Sequence, residues 1–117
     1  MFSVGAATKI YLATGVTDLR RGFNGLHALI EHRLEASPLS GNIFVFCNRR
    51  RDAIKLFFFD GTGMWVCAKR LEKGTYRWPE PGELSVQMSA AELQMLLSGI
   101  DLRATRKRAW WRPVLSK

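Results

Sequence analysis

Acidic residues, cysteines and histidines are all scarce in this chain of 117 residues, and each scarcity removes a class of function. Two cysteines, Cys47 and Cys67, lie in separate apolar segments without C-x-x-C spacing or neighbouring histidines. They read as reduced core residues of a cytoplasmic protein, with a cross-strand disulfide as the less favoured alternative. The two histidines, His27 and His32, are five apart on one helical stretch, so they point in different directions and cannot form an H-E-x-x-H metal pair. No G-x-S-x-G, phosphate-binding P-loop or Cys-His arrangement is present. Nor does any run approach the ~20 apolar residues of a membrane span. The opening MFSVGAATKIYLAT lacks the charged leader, long apolar stretch and small-residue cleavage site of a signal peptide. The expectation is a cytoplasmic, non-enzymatic protein without metal or cofactor.

What the chain does have is a core and a charge. Hydrophobic residues make up 47% of the sequence, enough for one compact domain and too little length for two. Lys and Arg total 18 against 10 Asp and Glu, a formal net charge of +8, with Arg well ahead of Lys. Planar guanidinium groups suit bidentate contacts to phosphate or carboxylate, so an anionic partner is expected. A basic surface that only keeps the protein soluble is the competing reading.

Along the chain, KIYLA at Lys9 to Ala13 has strand character and TDLRRGFNGLHALIEHRLEASP has helical spacing at Leu19, Phe23, Leu26, Leu29, Ile30 and Leu34. Thr17 or Asp18 is positioned to cap this long helix, Gly22 and Gly25 to mark close packing, and Pro38 to end it. The period then changes. NIFVFC, AIKLFFFD, MWVCAKRLE and TYRWP read as an antiparallel meander, with a tight hairpin at Asp60-Gly61-Thr62-Gly63 and a turn at Lys73-Gly74. Pro79 and Pro81 are expected to close the sheet. Ser89 and Glu92 form a capping-box pattern at the start of SAAELQMLLSG, with Gly99 placed to end that second helix. From Arg103 to Lys117 follow six basic residues, no acidic ones and two adjacent tryptophans.

The candidate site is basic. Arg49, Arg50 and Arg51 sit between two expected strands, and Lys69, Arg70 and Arg77 follow on strands that would pair nearby, gathering on one rim of the sheet for phosphate contact. Tyr76 and Trp78 flank Arg77, where stacking on a base is conceivable. Phe57, Phe58, Phe59 and Trp65 are assigned to the core. In the tail, Arg106, Lys107, Arg108 and Arg112 are candidate nucleic-acid contacts, and Trp110 and Trp111 candidate partner contacts, because adjacent exposed tryptophans call for a cover. Asp52, Asp60 and Glu72 are a weaker candidate Mg²⁺ set.

The blocks TDLR at Thr17 to Arg20, NRRRD at Asn48 to Asp52, the Asp60-Gly61 turn, KRLEKGTYRWP at Lys69 to Pro79, a Ser-Ala-Ala-Glu-Leu helix and a Trp-Arg-Pro tail occur in order. Together they resemble the small accessory protein, TnpB or second open-reading-frame protein, encoded beside the transposase of type sixty-six insertion sequences. This family is distinct from the RNA-guided nuclease that shares the TnpB name. The resemblance runs from about Ile10 to Pro113 and implies a role in DNA transposition, beside a separate catalytic transposase, with no family active site to carry over. One departure stands out: Arg51 occupies the place of a Gly expected in N-R-R-G-D, adding a charge and removing a flexible residue.

The combined expectation is an α+β protein. Residues 1–102 form one domain, an antiparallel β meander of four to five strands with one long packed helix and a short C-terminal helix, and 103–117 form a basic tail. Its expected function is non-catalytic assistance of transposition, binding DNA, the element's transposase, or both. A pure docking module without DNA binding, and a small metal-dependent nuclease, are the alternatives.

Overall fold

In a computed structural model, residues 7–98 and the backbone of 112–113 are described. The chain runs β1 (Ile10–Ala13), α1 (Phe23–His32), β2 (Ile43–Cys47), β3 (Ala53–Phe59), β4 (Met64–Arg70), β5 (Ser85–Met88), α2 (Ala90–Leu97) and a two-residue β6 (Arg112–Pro113). These strands form one mixed sheet in the order β4-β3-β2-β1-β5-β6. Among the described residues no helix is long and apolar enough to cross a membrane.

The fold is α+β, as expected, but the sheet is not a simple meander. β1 and β2 are parallel, with Tyr11 opposite Phe44, and α1 makes the crossover between them. Two parallel neighbours cannot be joined by a tight turn, so the connection must carry a helix or a long loop. β5, absent from the sequence-based reading, lies antiparallel on the other side of β1, so Pro79 and Pro81 do not close the sheet. TYRWP is not a strand. Residues 75–80 are an irregular segment whose Tyr76 and Trp78 plug the core beneath the sheet.

β2 explains the arrangement. All five residues of IFVFC are buried, because helix α1 covers one face and α2 with the 75–79 segment covers the other. Phe44, Phe46 and Phe57 pack with Leu26 and Ile30 of α1, while Val45, Leu56 and Phe58 pack with Leu93 and Leu96 of α2. Successive strand residues point to opposite faces, so consecutive phenylalanines in β3 serve two cores at once. Two members of the expected core set depart from it: Phe59, at the end of β3, is only half-buried and joins neither core, and Trp65 lies further out. It is 52% exposed on the edge strand β4, stacked on Phe58 with ring centroids 6.0 Å apart and donating its Nε1 to Asp60.

Helix α1 is shorter than the sequence pattern suggests. It begins after Gly22, not at Thr17 or Asp18, and ends at His32, well before Pro38. Asp18 spends its carboxylate on Arg20 instead of capping a helix, and this holds residues 17–20 in a loop. Of the two glycines, Gly25 is the tight one, since a Cβ there would lie 2.9 Å from the Arg21 side chain. The local signals of the second helix and the hairpin hold. Ser89 accepts from the Glu92 amide and Glu92 accepts from the Ser89 amide, completing the capping box. In the hairpin Gly61 sits at φ 101°, and Asp60 Oδ1 accepts from Thr62 N and Gly63 N. Both cysteines are free thiols, and burial pushes the Cys47 thiol up to about 12.

A candidate nucleic-acid interface

The parallel pair decides where a site forms. β1 and β2 end at the same edge of the sheet, and the loop after β1 and the turn after β2 meet there; in open sheets of this kind the crevice beyond the carboxyl ends of parallel strands is the usual binding place. Thr17 N donates to Cys47 O at 2.8 Å and ties the two connections together. Antiparallel register brings the start of β3 and the end of β4 to the same edge, with Ala53 opposite Arg70. The result is a cleft of about 640 Å³ into which Arg20, Arg49, Arg50 and Arg70 converge from three chain segments, with Asp18 as the acidic side chain of its lining.

Both walls are held from within. Arg33, just past the end of α1, reaches back to donate to Thr14 O at 2.6 Å and Thr17 Oγ1 at 2.9 Å. Burial, helped by the nearby Arg21 charge, lowers the pKa of its guanidinium. Across the cleft, Asn48 Oδ1 accepts from the amides of Asp52 and Ala53, both at 3.1 Å, while Asn48 Nδ2 donates to Asp52 Oδ1 at 2.8 Å. That bond, with the Arg50 and Arg70 charges, holds the Asp52 carboxyl below its usual range. Arg20 grips Asp18 through Nε and Nη2, the latter at 2.8 Å, and this contact and the Arg20 amide keep the Asp18 carboxyl well below the carboxylate range.

The expected basic rim is thus partly assembled and partly dispersed. Arg49, Arg50 and Arg70 meet in the cleft. Arg51 turns away to Glu80, with Nη2 2.9 Å from Oε2. Lys69 faces the opposite side of the sheet, because its strand partner Ile54 belongs to the α2 core, and it donates to the Leu97 carbonyl at the end of α2. Arg77 is exposed between buried Tyr76 and Trp78 and does not line the cleft, and neither aromatic ring is available for stacking on a base. Arg106, Lys107, Arg108, Trp110, Trp111 and Gly99 lie outside the described residues. Of Arg112 only the backbone is described, paired with Gln87 on β5. The Asp52, Asp60 and Glu72 set does not assemble. Asp52 precedes β3 and Asp60 follows it, so the strand's seven residues hold them roughly 25 Å apart. Asp60 is also engaged by Trp65 Nε1 at 2.7 Å and by Thr62 and Gly63, which depress its pKa.

Sequence reasoning missed Arg20 and Arg33. The TDLR block was visible, but its arginine was assigned to a helix; the sign of a loop was the Thr17-Asp18 pair followed by Gly22, where a side-chain acceptor can close a turn before any helix starts. Nothing local marks Arg33, whose partners are 16 and 19 residues away.

The backbone at Arg51 accounts for the expected glycine and makes the arginine a strained substitute: it sits at φ 61°, in the left-handed region where a Cβ costs roughly 1–2 kcal/mol. Arg51→Gly is therefore expected to be more stable than Arg51→Ala by about 1 kcal/mol, although both lose the same ion pair. Urea unfolding of the two variants reads this directly, and an Ala variant at least as stable as the Gly variant would contradict the strain.

The comparisons with known proteins agree with this reading of the motifs. The chain is 38% identical over 113 residues to the uncharacterized protein y4hO of Sinorhizobium fredii, covering 97% of this chain and 96% of that one. It is 35% identical over 113 residues to the uncharacterized protein y4jC of the same organism, covering 97% of each. No solved structure matches the chain. The sequence model of the IS66 Orf2-like proteins, TnpB_IS66, matches residues 8–107, nearly the whole of the domain that builds the cleft, and the chain belongs to that family.

Proposed function

We propose that the protein is a non-catalytic accessory factor of IS66-type transposition that grips DNA phosphates in the cleft between the β1–α1 loop and the β2–β3 turn. The observation that carries this reading is the convergence of Arg20, Arg49, Arg50 and Arg70 from three separate segments onto one preformed cleft. Like charges gathered at one place repel unless an anion joins them, and arginine is the side chain best shaped for phosphate oxygens. Asp18 already pairs with Arg20 through Nε and Nη2, the two-point contact of which a guanidinium is capable.

The test is DNA affinity across a salt series for the unaltered chain and for the Arg49→Ala/Arg50→Ala/Arg70→Ala variant. The slope of log affinity against log salt is expected to flatten by about 3, roughly one for each phosphate contact removed. Salt-independent binding, or a slope untouched by the triple change, would reject the cleft as the grip.

A second reading has its own support. Trp65 lies exposed on β4, whose outer side has no strand partner among the described residues, and such an edge can take a strand from another protein. If the transposase docks there, Trp65→Ala reduces its co-purification and leaves the salt slope of DNA binding unchanged.

A further inference from the structure

Phosphate neutralisation uses the arginines of the cleft and makes no use of its apolar lining. Val16, Leu19 and Ala53, all half-buried, line the same cleft. Its volume of about 640 Å³ falls within the ~300–1,000 Å³ of sites that enclose a small molecule. A duplex is stiff and convex, with bases stacked inside, and meets such a hollow only at its mouth. An unpaired strand has no such limit: its bases can splay out and stack on guanidinium planes while the backbone follows the positive charge.

We propose that the cleft takes an unpaired nucleotide of a DNA strand, its phosphate on Arg49, Arg50 and Arg70 and its base against the wall formed by Val16, Leu19 and Ala53. This rests on the reading of the cleft as the DNA grip and names the form of DNA it holds. Three features favour it over a duplex. The hollow is held open by Arg33 on one wall and Asn48 on the other, which lowers the ordering cost of binding. Its non-polar wall has no use in a contact limited to phosphates, whereas a base has an apolar face to bury. Finally, the charge comes from arginines, which can pair with phosphate and stack on a base with the same planar group. Tyr76 and Trp78 are buried, so stacking in the cleft falls to the guanidinium planes and the aliphatic wall.

The experiment compares the full chain binding a 5′-phosphorylated single strand and a blunt duplex of the same sequence, by fluorescence anisotropy at matched salt. The single strand is expected to bind about tenfold more tightly, the scale of one stacked base. Ala53→Leu, which narrows the cleft without altering charge, is expected to remove most of that preference while the salt slope for the strand stays the same. Equal or tighter binding of the duplex, with a slope that depends on the arginines, overturns the unpaired-strand assignment and leaves the phosphate grip standing. Absence of binding to either DNA overturns both. Unchanged strand affinity in a folded Ala53→Leu protein overturns the placement of the base, and if that variant does not fold, the strand-to-duplex ratio of the unaltered chain decides.

Discussion

Trp78→Ala is expected to destabilise the protein by about 3–5 kcal/mol, the range for deleting a buried large aromatic side chain. Trp78 is 4% exposed within the core between the sheet and α2, and its Nε1 donates to Ala13 O at 2.8 Å, at the very end of β1. One residue later, Pro79 O accepts from Gly15 N at 3.0 Å. The indole therefore fills the core and also fastens the irregular 75–79 segment across the exit of β1. Its loss leaves a cavity and frees a backbone carbonyl. Set against a typical total stability of about 5–15 kcal/mol, this is a large fraction. Thermal unfolding followed by circular dichroism should show a midpoint more than 10 °C lower, at about 4 °C for each kcal/mol. Trp78→Phe should fall between, since it keeps most of the apolar volume but not the hydrogen bond. A Trp78→Ala midpoint within a few degrees of the parent would mean that the segment contributes little to the fold.

Arg33→Met should have the second largest effect, and on two readouts. The half-buried guanidinium donates to Thr14 O and Thr17 Oγ1, and hydrogen bonds from charged groups contribute about 1.5–3 kcal/mol each, towards the lower end where water has partial access. Methionine keeps the length of the stem but no donor. A destabilisation of about 2–3 kcal/mol is expected, measured by urea unfolding. DNA affinity should fall as well, although Arg33 does not line the cleft, because the loop carrying Arg20 is then no longer held against the end of α1. The unfolding and the binding assays together separate the roles. Lost stability with intact DNA affinity would make Arg33 a purely structural residue and remove it from the account of the site.

Arg33 and Trp78 also show where sequence reading stops. The buried character of Trp78 could be suspected from its aromatic surroundings, but the alternation with Arg77 equally suited an exposed strand, and only the packing of both rings into the core between the sheet and α2 decides against one. The parallel pairing of β1 and β2 left a trace in the sequence: IFVFC is a continuous apolar run, the mark of a strand buried on both faces, while a meander strand with one wet face alternates. The grouping of arginines was half legible. Arg49 and Arg50 were visible as neighbours in a turn, whereas Lys69 and Arg70, adjacent in sequence, part to opposite faces because β4 is a strand.

By itself the sequence determined the features whose causes lie within about four residues: the Ser89–Glu92 capping box, the Asp60–Gly63 hairpin, the strand character of β2 to β4, and the basic, apolar-cored composition of the chain. Each depends on a local hydrogen bond, a backbone angle or a side-chain period that neighbouring residues set on their own. Tertiary structure alone decided the strand order, the early stop of α1, the burial of Tyr76 and Trp78, and the meeting of Arg20 with Arg70 across fifty positions of chain. Those outcomes follow from which apolar faces cover one another, and that depends on the whole set of faces at once and not on any one stretch.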